Sequence, residues 1–363
     1  MKILYISHLS TNIAAGPNWS VPAGVEAQSK IDDVLWVNMT NAVMPHWNNV
    51  AAFHNVKEFI GKSYSIDDLL THTNQPDVVV FESFYYMDDV RMAKKLLEIN
   101  IPYIIVPRGA LTRQAIHNHA WLKKWVAHKL FFDSYVKNAT AIQYLTKQEA
   151  ADSTGRFHTP YFIIPNGFNT PKKQKASFSN EGVRAVFIGR LDMFHKGLDM
   201  ILEALTQLHE QLKAANFFLD IYGPRRYDFD KIEKEIEQRN ISDIAAIHNE
   251  VSGKEKEHVL LDADVFMMAS RFEGHPMGLI EALAYGVPCM VTPGTNMFEE
   301  IYDADAGWTC QGNVDDISKT LLQIIEEKDC FGIKGQNGRE LSKRYNWSQL
   351  AQLFHNELSS LLK

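Results

Sequence analysis

The sequence predicts an α/β protein built as two doubly wound, parallel-sheet domains. Three observations carry that expectation: short apolar runs recurring along the chain, amphipathic helical patterns between them, and a length of 363 residues, about twice a typical domain. Continuous rather than alternating apolar runs mark strands buried on both faces, as in a parallel sheet covered by helices. Strand–helix alternation throughout is the pattern of doubly wound folds.

In the first half the strand runs are Ile3–Ile6, Val34–Val37, Val78–Phe81, Tyr103–Val106, Ala141–Leu145 and Tyr161–Ile164. A second series follows at Arg184–Ile188, Phe217–Tyr222, Ala245–Ile247, Val265–Met268 and Pro288–Thr292. Leu198, Ile201, Leu202, Leu205, Leu208 and Leu212 recur at three- and four-residue steps, one face of an amphipathic helix. Between the two series, Asn166 to Gly182 is polar, basic and rich in Gly, Pro, Ser and Asn, which is linker chemistry. The expected domains are therefore residues 1–168 and 183–346, joined by a linker at 169–182. The last helix, from about Trp347 to Leu361, has apolar positions 347, 350, 351, 354, 358 and 361 and needs a docking surface. The segment 347–363 is expected to pack back on the first domain. Two such domains facing each other leave an interdomain cleft at the carboxyl ends of their strands, where these folds bind ligands.

Composition narrows the function. Hydrophobic residues are 45% and charged residues 22%, enough apolar material for two cores. A net charge of −7 argues against binding nucleic acid through its phosphates. The three cysteines, Cys289, Cys310 and Cys330, form no Cys-x-x-Cys pair and read as reduced, mostly buried thiols. The start, Met1 to Ser7, is too short for a signal peptide and suits a buried strand, and about eighteen apolar residues never run together. The setting expected is cytoplasmic.

The segment Ser270-Arg-Phe-Glu-Gly-His-Pro-Met-Gly-Leu-Ile-Glu-Ala-Leu-Ala-Tyr-Gly286 carries the most chemistry. A strand runs into a turn at Gly274 and then into a helix starting near Pro276, where a missing N–H is harmless. Free N–H groups around Met277–Ile280, with the helix dipole, make an anion site. Glu273 and Glu281 flank it, and carboxylates suit paired sugar hydroxyls. The plainer reading is an ordinary strand–helix unit whose glutamates favour the helix N-terminus. The other half of the constellation is Phe187-Ile-Gly189-Arg190-Leu-Asp192-Met-Phe-His195-Lys196-Gly197. A glycine-bearing turn after the second domain's first strand presents Arg190 and Lys196, two fixed cations able to neutralise a diphosphate leaving group without a divalent metal.

Gly-Arg-Leu-Asp…Lys-Gly-Leu, followed some eighty residues later by Glu-Gly-His-Pro-x4-Glu-Ala-Leu-Ala-x-Gly-x-Pro, resembles the retaining glycosyltransferases of family 4, including bacterial exopolysaccharide and capsule enzymes. The likeness extends to Tyr222-Gly223-Pro224 and the Trp347 terminal helix. It implies the GT-B fold, two facing Rossmann-like domains. It also implies that Arg190 and Lys196, beside Gly189, hold the donor diphosphate, and that Glu273 holds hydroxyls of the transferred sugar. Backbone N–H groups of Gly274, His275, Met277, Gly278 and Leu279 would lie nearby, and Glu281 would hold the ribose. The implied reaction moves a sugar, with retention, from a nucleotide diphosphate sugar, most simply a UDP-sugar, to a saccharide or lipid-linked saccharide of the cell envelope. The leaving phosphate takes the acceptor proton, and neither cofactor nor metal is needed.

The acceptor side is less determined. Relatives often carry Gly-Gly where this chain has Ala23-Gly24, so close backbone approach is expected at Gly24 only, on a helix starting near it. Arg108 stands where many relatives have histidine; staying protonated, it can bind phosphate or orient an acceptor but cannot be a base. His117, with His119 and His128, is a further acceptor-side candidate. Ala120 to Phe132 interleaves aromatic and basic residues, as in a segment lying peripherally on an anionic membrane, although a core helix with one solvated basic face fits better. Asp262-Ala-Asp264 and Asp303-Ala-Asp305 are the pairs a metal-dependent transferase would use, and they read better as helix-end residues. No Gly-x-Gly-x-x-Gly follows either first strand, which speaks against a dinucleotide oxidoreductase. A GT-B epimerase or phosphorylase and a non-catalytic carbohydrate-binding protein stay open as alternatives.

Overall fold

A computed structural model describes residues 1–12, 15–59, 61, 65–73, 75–116, 125–153, 157–179 and 181–363. The chain forms two compact units: Met1–Gly167 with Trp347–Lys363, and Phe168–Asn346.

The first unit holds a seven-stranded sheet in the order β3-β2-β1-β4-β5-β6-β7. Its strands are β1 (Lys2–Ser7), β2 (Asp33–Asn38), β3 (Phe53–Asn55), β4 (Val78–Phe81), β5 (Tyr103–Ile105), β6 (Ala141–Tyr144) and β7 (Tyr161–Ile163), all pairing parallel. Alternate residues feed opposite cores, as the period of two requires. Leu4, Ile6, Val79 and Phe81 enter one cluster, and Ile3, Tyr5, Val78 and Val80 the other. The second cluster also receives Leu350, Phe354 and Leu358 from the Trp347–Leu361 helix.

The second unit is a six-stranded parallel sheet, β10-β9-β8-β11-β12-β13. Its strands are β8 (Val183–Ile188), β9 (Phe217–Tyr222), β10 (Ala245–His248), β11 (Val265–Met268), β12 (Cys289–Val291) and β13 (Gly307–Thr309). Phe187, Ile221 and Met267 point to one core; Val186, Phe266 and Met268 point to the other. In both units the strand order reverses beside the first strand, between β1 and β4 and between β8 and β11. Ligands of open α/β sheets bind at such reversals, beyond the carboxyl ends of the strands.

Four local features differ from the sequence reading. Strands β3 and β13 carry no apolar run because each is a three-residue edge strand. The Leu198–Leu212 periodicity spans two helices, Leu198–Gln207 and His209–Ala214, broken at Leu208 without any loss of phase. The helix expected near Gly24 begins at Pro17 and ends at Gln28. Pro22 lies inside it and offers no N–H to the Asn18 carbonyl, and that oxygen instead accepts from Trp47 Nε1 at 2.9 Å and His46 Nε2 at 3.0 Å. Lastly, the segment read as a linker lies on the second unit. Lys175 pairs with Asp264 at 3.2 Å, both side chains under 5% exposed, and Phe178 packs on Phe331.

Candidate functional site

Two loops meet at the strand reversal of the second unit. The first leaves β8 and runs from Gly189 to Gly197; the second leaves β11 and runs from Ala269 to Pro276. They are stitched together by the Arg271 N–H donating to the His195 carbonyl at 2.9 Å, and by Arg271 Nη1 and Nη2 on Asp199 at 2.7 and 2.8 Å. Gly197 has φ +67°, and a Cβ there would meet the Ala269 carbonyl oxygen at 2.0 Å, so only glycine lets the first loop lie against the second.

This stitching places Lys196 on Glu273, whose carboxylate accepts from Lys196 Nζ and from Ser270 Oγ at 2.8 Å. Both charged side chains are nearly buried, at 11% and 12% exposure. Burial pushes the Glu273 carboxyl up, but the Lys196 ammonium beside it pulls the other way, and the result lies below the ordinary carboxylate value. The turn bearing Glu273 is braced from the loop after β12. Asn296 Nδ2 donates to the Glu273 and Gly274 carbonyls, and Thr292 Oγ1 donates to the Ser270 carbonyl at 2.8 Å. Arg190 follows Gly189 at the end of β8; its guanidinium donates to His195 Nδ1 and lies 5.7 Å from the Tyr227 ring centroid.

The Met277–Tyr285 helix starts directly after Pro276. Gly278 lets it close on β8 and β11, since a Cβ there would meet the Ile188 carbonyl at 3.1 Å and the Phe266 ring at 3.2 Å. The anion site read from sequence is narrower than expected. The N–H groups of Leu279 and Ile280 donate to the Pro276 carbonyl, and the Leu279 side chain is core. Met277 and Gly278 are left with N–H groups that have no partner among the described residues. The His275 ring is buried against Tyr345, 5.0 Å between centroids. Glu281, on the second turn, pairs with Lys256 Nζ at 2.5 Å. Lys256 was invisible in the sequence because it comes from a separate helix, Gly253–Asp262, with no motif linking the two positions.

Beyond β9 and β10 lies an open cavity of about 510 Å³, lined by Tyr222, Arg225, Ile247, His248, Asn249 and Val251 among others. Tyr222 stacks on His248, and His248 pairs with Asp220 at 2.6 Å. In each Asp-x-Asp pair the second aspartate has a cationic partner. Asp264 accepts from Lys175 and from the Arg184 N–H, and Asp305 pairs with Lys334. Among the described residues no cluster of three or more His, Cys, Asp or Glu could hold a metal ion.

In the first unit the sequence candidates separate. Gly24 is mid-helix, not at a helix start, and a Cβ there would stand 3.2 Å from the Trp347 ring, a tight contact. Arg108 takes φ +51°. Its guanidinium is held by Glu82 at 2.6 and 3.0 Å, Ser20 at 3.1 Å and Asn166 at 3.0 Å. Next to it the Gly109 N–H donates to Glu149, a carboxylate that burial pushes up. His117 and His119 lie outside the described residues. His128 is buried and bonds the Tyr85 hydroxyl at 3.0 Å.

The family described as Glycosyl transferases group 1 matches residues 169–344. An uncharacterized glycosyltransferase of Methanocaldococcus jannaschii is 24% identical over 306 residues, covering 82% of this chain and 81% of that protein. The Escherichia coli protein WcaL is 28% identical over 175 residues, covering 46% of this chain and 42% of its own length. Among solved structures, the Anabaena protein HepE in complex with UDP and glucose superposes with a TM-score of 0.77 at 13% identity, covering 99% of this chain and 100% of that one. Residues 169–344 therefore match a glycosyl transferases group 1 domain, and the chain has the GT-B fold.

Proposed function

We propose that the chain transfers a sugar, with retention and without a metal, from a UDP-sugar to a saccharide or lipid-linked saccharide of an envelope or exopolysaccharide. The observation that carries the reading is the Lys196–Glu273 pair at the strand reversal, beside Arg190 and the free Met277 and Gly278 N–H groups. Lys196, Arg190 and these N–H groups would receive the diphosphate, where negative charge develops as the sugar–phosphate bond breaks. Glu273 would take hydroxyls of the transferred sugar, and Glu281 the ribose, exchanging Lys256 for them. The cavity beyond β9 and β10 would take the base. The acceptor oxygen would bond the anomeric carbon on the face the phosphate leaves, and its proton would pass to that phosphate. HepE, a structural neighbour, binds UDP and glucose, which supports the donor class.

A lipid-linked acceptor is supported by one surface of the first unit. Trp125, Val126, Leu130 and Phe131 are exposed at 50%, 42%, 65% and 43%, with Lys129 beside them, the composition of a face that rests peripherally on the inner leaflet. The segment 120–124 lies outside the described residues. No helix of the described residues is long and apolar enough to cross a membrane.

The test is a pair of variants assayed with UDP-glucose and UDP-galactose in the presence of EDTA. Glu281→Ala should raise the donor KM at least about tenfold, and Glu273→Ala should lower kcat by about a hundredfold with a smaller change in KM. NMR of the product should show the donor's anomeric configuration. Wild-type rates in both variants would remove the donor assignment. Loss of activity in EDTA restored by manganese would remove the metal-free one, and epimerised nucleotide sugar without transfer would favour the epimerase alternative.

A further inference from the structure

Within the donor site, His195 has no role in the reading above, yet its surroundings fix its chemical state. Its ring lies flat on Phe272, 4.0 Å between centroids and 13° between planes. Nε2 stands 2.6 Å from the Phe272 carbonyl oxygen; a carbonyl only accepts, so Nε2 carries the hydrogen. Nδ1 stands 2.5 Å from Arg190 Nη2; a guanidinium only donates, so Nδ1 presents its lone pair. The two contacts independently require the same neutral tautomer. Burial lowers the proton affinity of the ring, Glu273 opposes this, and Lys196 and Arg190 reinforce it, leaving the group below its ordinary value. Asp192 Oδ2 stands 3.9 Å from Nδ1, and the Arg271 side chain is turned away onto Asp199.

We propose that His195 is a positioning residue for the donor diphosphate: its neutral imidazole, oriented by the Phe272 carbonyl, holds the Arg190 guanidinium ready to meet the phosphates. The proposal rests on the donor-site reading given above. An arginine side chain has many rotamers, and ordering it on binding subtracts from affinity. A guanidinium already fixed by an acceptor on one side and the Tyr227 ring on another loses less, and its remaining N–H groups stay available. Phenylalanine at 195 would keep the stack on Phe272 but offer Arg190 no acceptor. Asparagine would lose the stack but place an amide oxygen near the position of Nδ1.

The full chain is titrated calorimetrically with UDP, and in parallel with GDP and ADP, as wild type, His195→Phe, His195→Asn, Arg190→Ala and the His195→Phe/Arg190→Ala double variant. His195→Phe should weaken UDP binding about tenfold, the scale of one hydrogen bond to a charged group. His195→Asn should return to within about threefold of wild type. In the Arg190→Ala background His195→Phe should add less than about a twofold change, since partners that act through one contact are not additive. Should His195→Phe fail to fold, His195→Leu is read in the same way. Wild-type affinity in His195→Phe, or an equal loss with and without Arg190, overturns the proposal and leaves the donor site standing. A wild-type chain that binds none of the three nucleotides overturns both.

Discussion

Single residues in the second unit show how charge is kept inside a protein. Glu273 is tolerated in its nearly buried position because Lys196 and Ser270 satisfy it. Its carboxyl is held below the ordinary value, so the ionised pair adds stability above the carboxylate range of the unfolded chain. That contribution is lost as pH falls through the lowered folded value. Glu273→Gln should therefore be less stable than wild type at neutral pH by urea denaturation, with the gap closing in acid. A gap that is independent of pH would show that the pair carries no such linkage. The thiols follow the same logic of burial. Cys289 is fully buried and its thiol pushed well up, and Cys310 is pushed up to about 12, whereas Cys330 is only partly buried. Ellman's reagent at pH 8 should react quickly with Cys330 alone, and with Cys289 and Cys310 only after denaturation. Rapid reaction of Cys289 in the native chain would contradict its burial.

At the scale of elements, the sequence was legible wherever burial was two-sided. Val78–Phe81 and Val265–Met268 are strands at the limits their apolar runs suggest, because both faces of these strands are core. Strands β3 and β13 escaped since an edge strand needs little apolar sequence. The Pro17–Gln28 helix escaped for a different reason: Pro22 reads as a helix breaker, and only tertiary partners, Trp47 and His46, satisfy the carbonyl it leaves. Gly24 shows the same limit, as the ring it packs against belongs to Trp347, more than three hundred positions away. The Trp347–Leu361 helix belongs to the first unit's core through Leu350, Phe354 and Leu358. Phe354→Ala should cost about 3–5 kcal/mol, the usual range for deleting a buried phenylalanine. Guanidinium denaturation measures it, and a loss below about 1 kcal/mol would mean the helix contributes little to that core.

For the whole molecule, each unit follows the same plan, a parallel sheet whose strand order reverses beside its first strand. The second unit gathers Arg190, Lys196, Glu273 and the Met277–Tyr285 helix start at that reversal. Lys196 and Glu273 were readable as a pair of motifs, and their contact is a consequence of β8 and β11 being neighbours. The partners that complete the site were not readable. Lys256 meets Glu281 across helices, and Asn296 reaches the Glu273 turn from the loop after β12. Such contacts depend on which strands adjoin, and no local pattern encodes that. In the first unit, the reversal between β1 and β4 has its own buried pair, His8 on Asp89 at 2.7 Å, which no local motif marks.

The central claim is that the strand reversal of the second unit binds a nucleoside diphosphate through Lys196. Calorimetric titration of UDP into wild type and Lys196→Ala tests it most directly. The account predicts saturable binding by wild type and at least about a tenfold loss in Lys196→Ala, as expected on removing a charge-assisted contact to phosphate. Absence of binding in the wild type, or equal affinity in the two proteins, would contradict it.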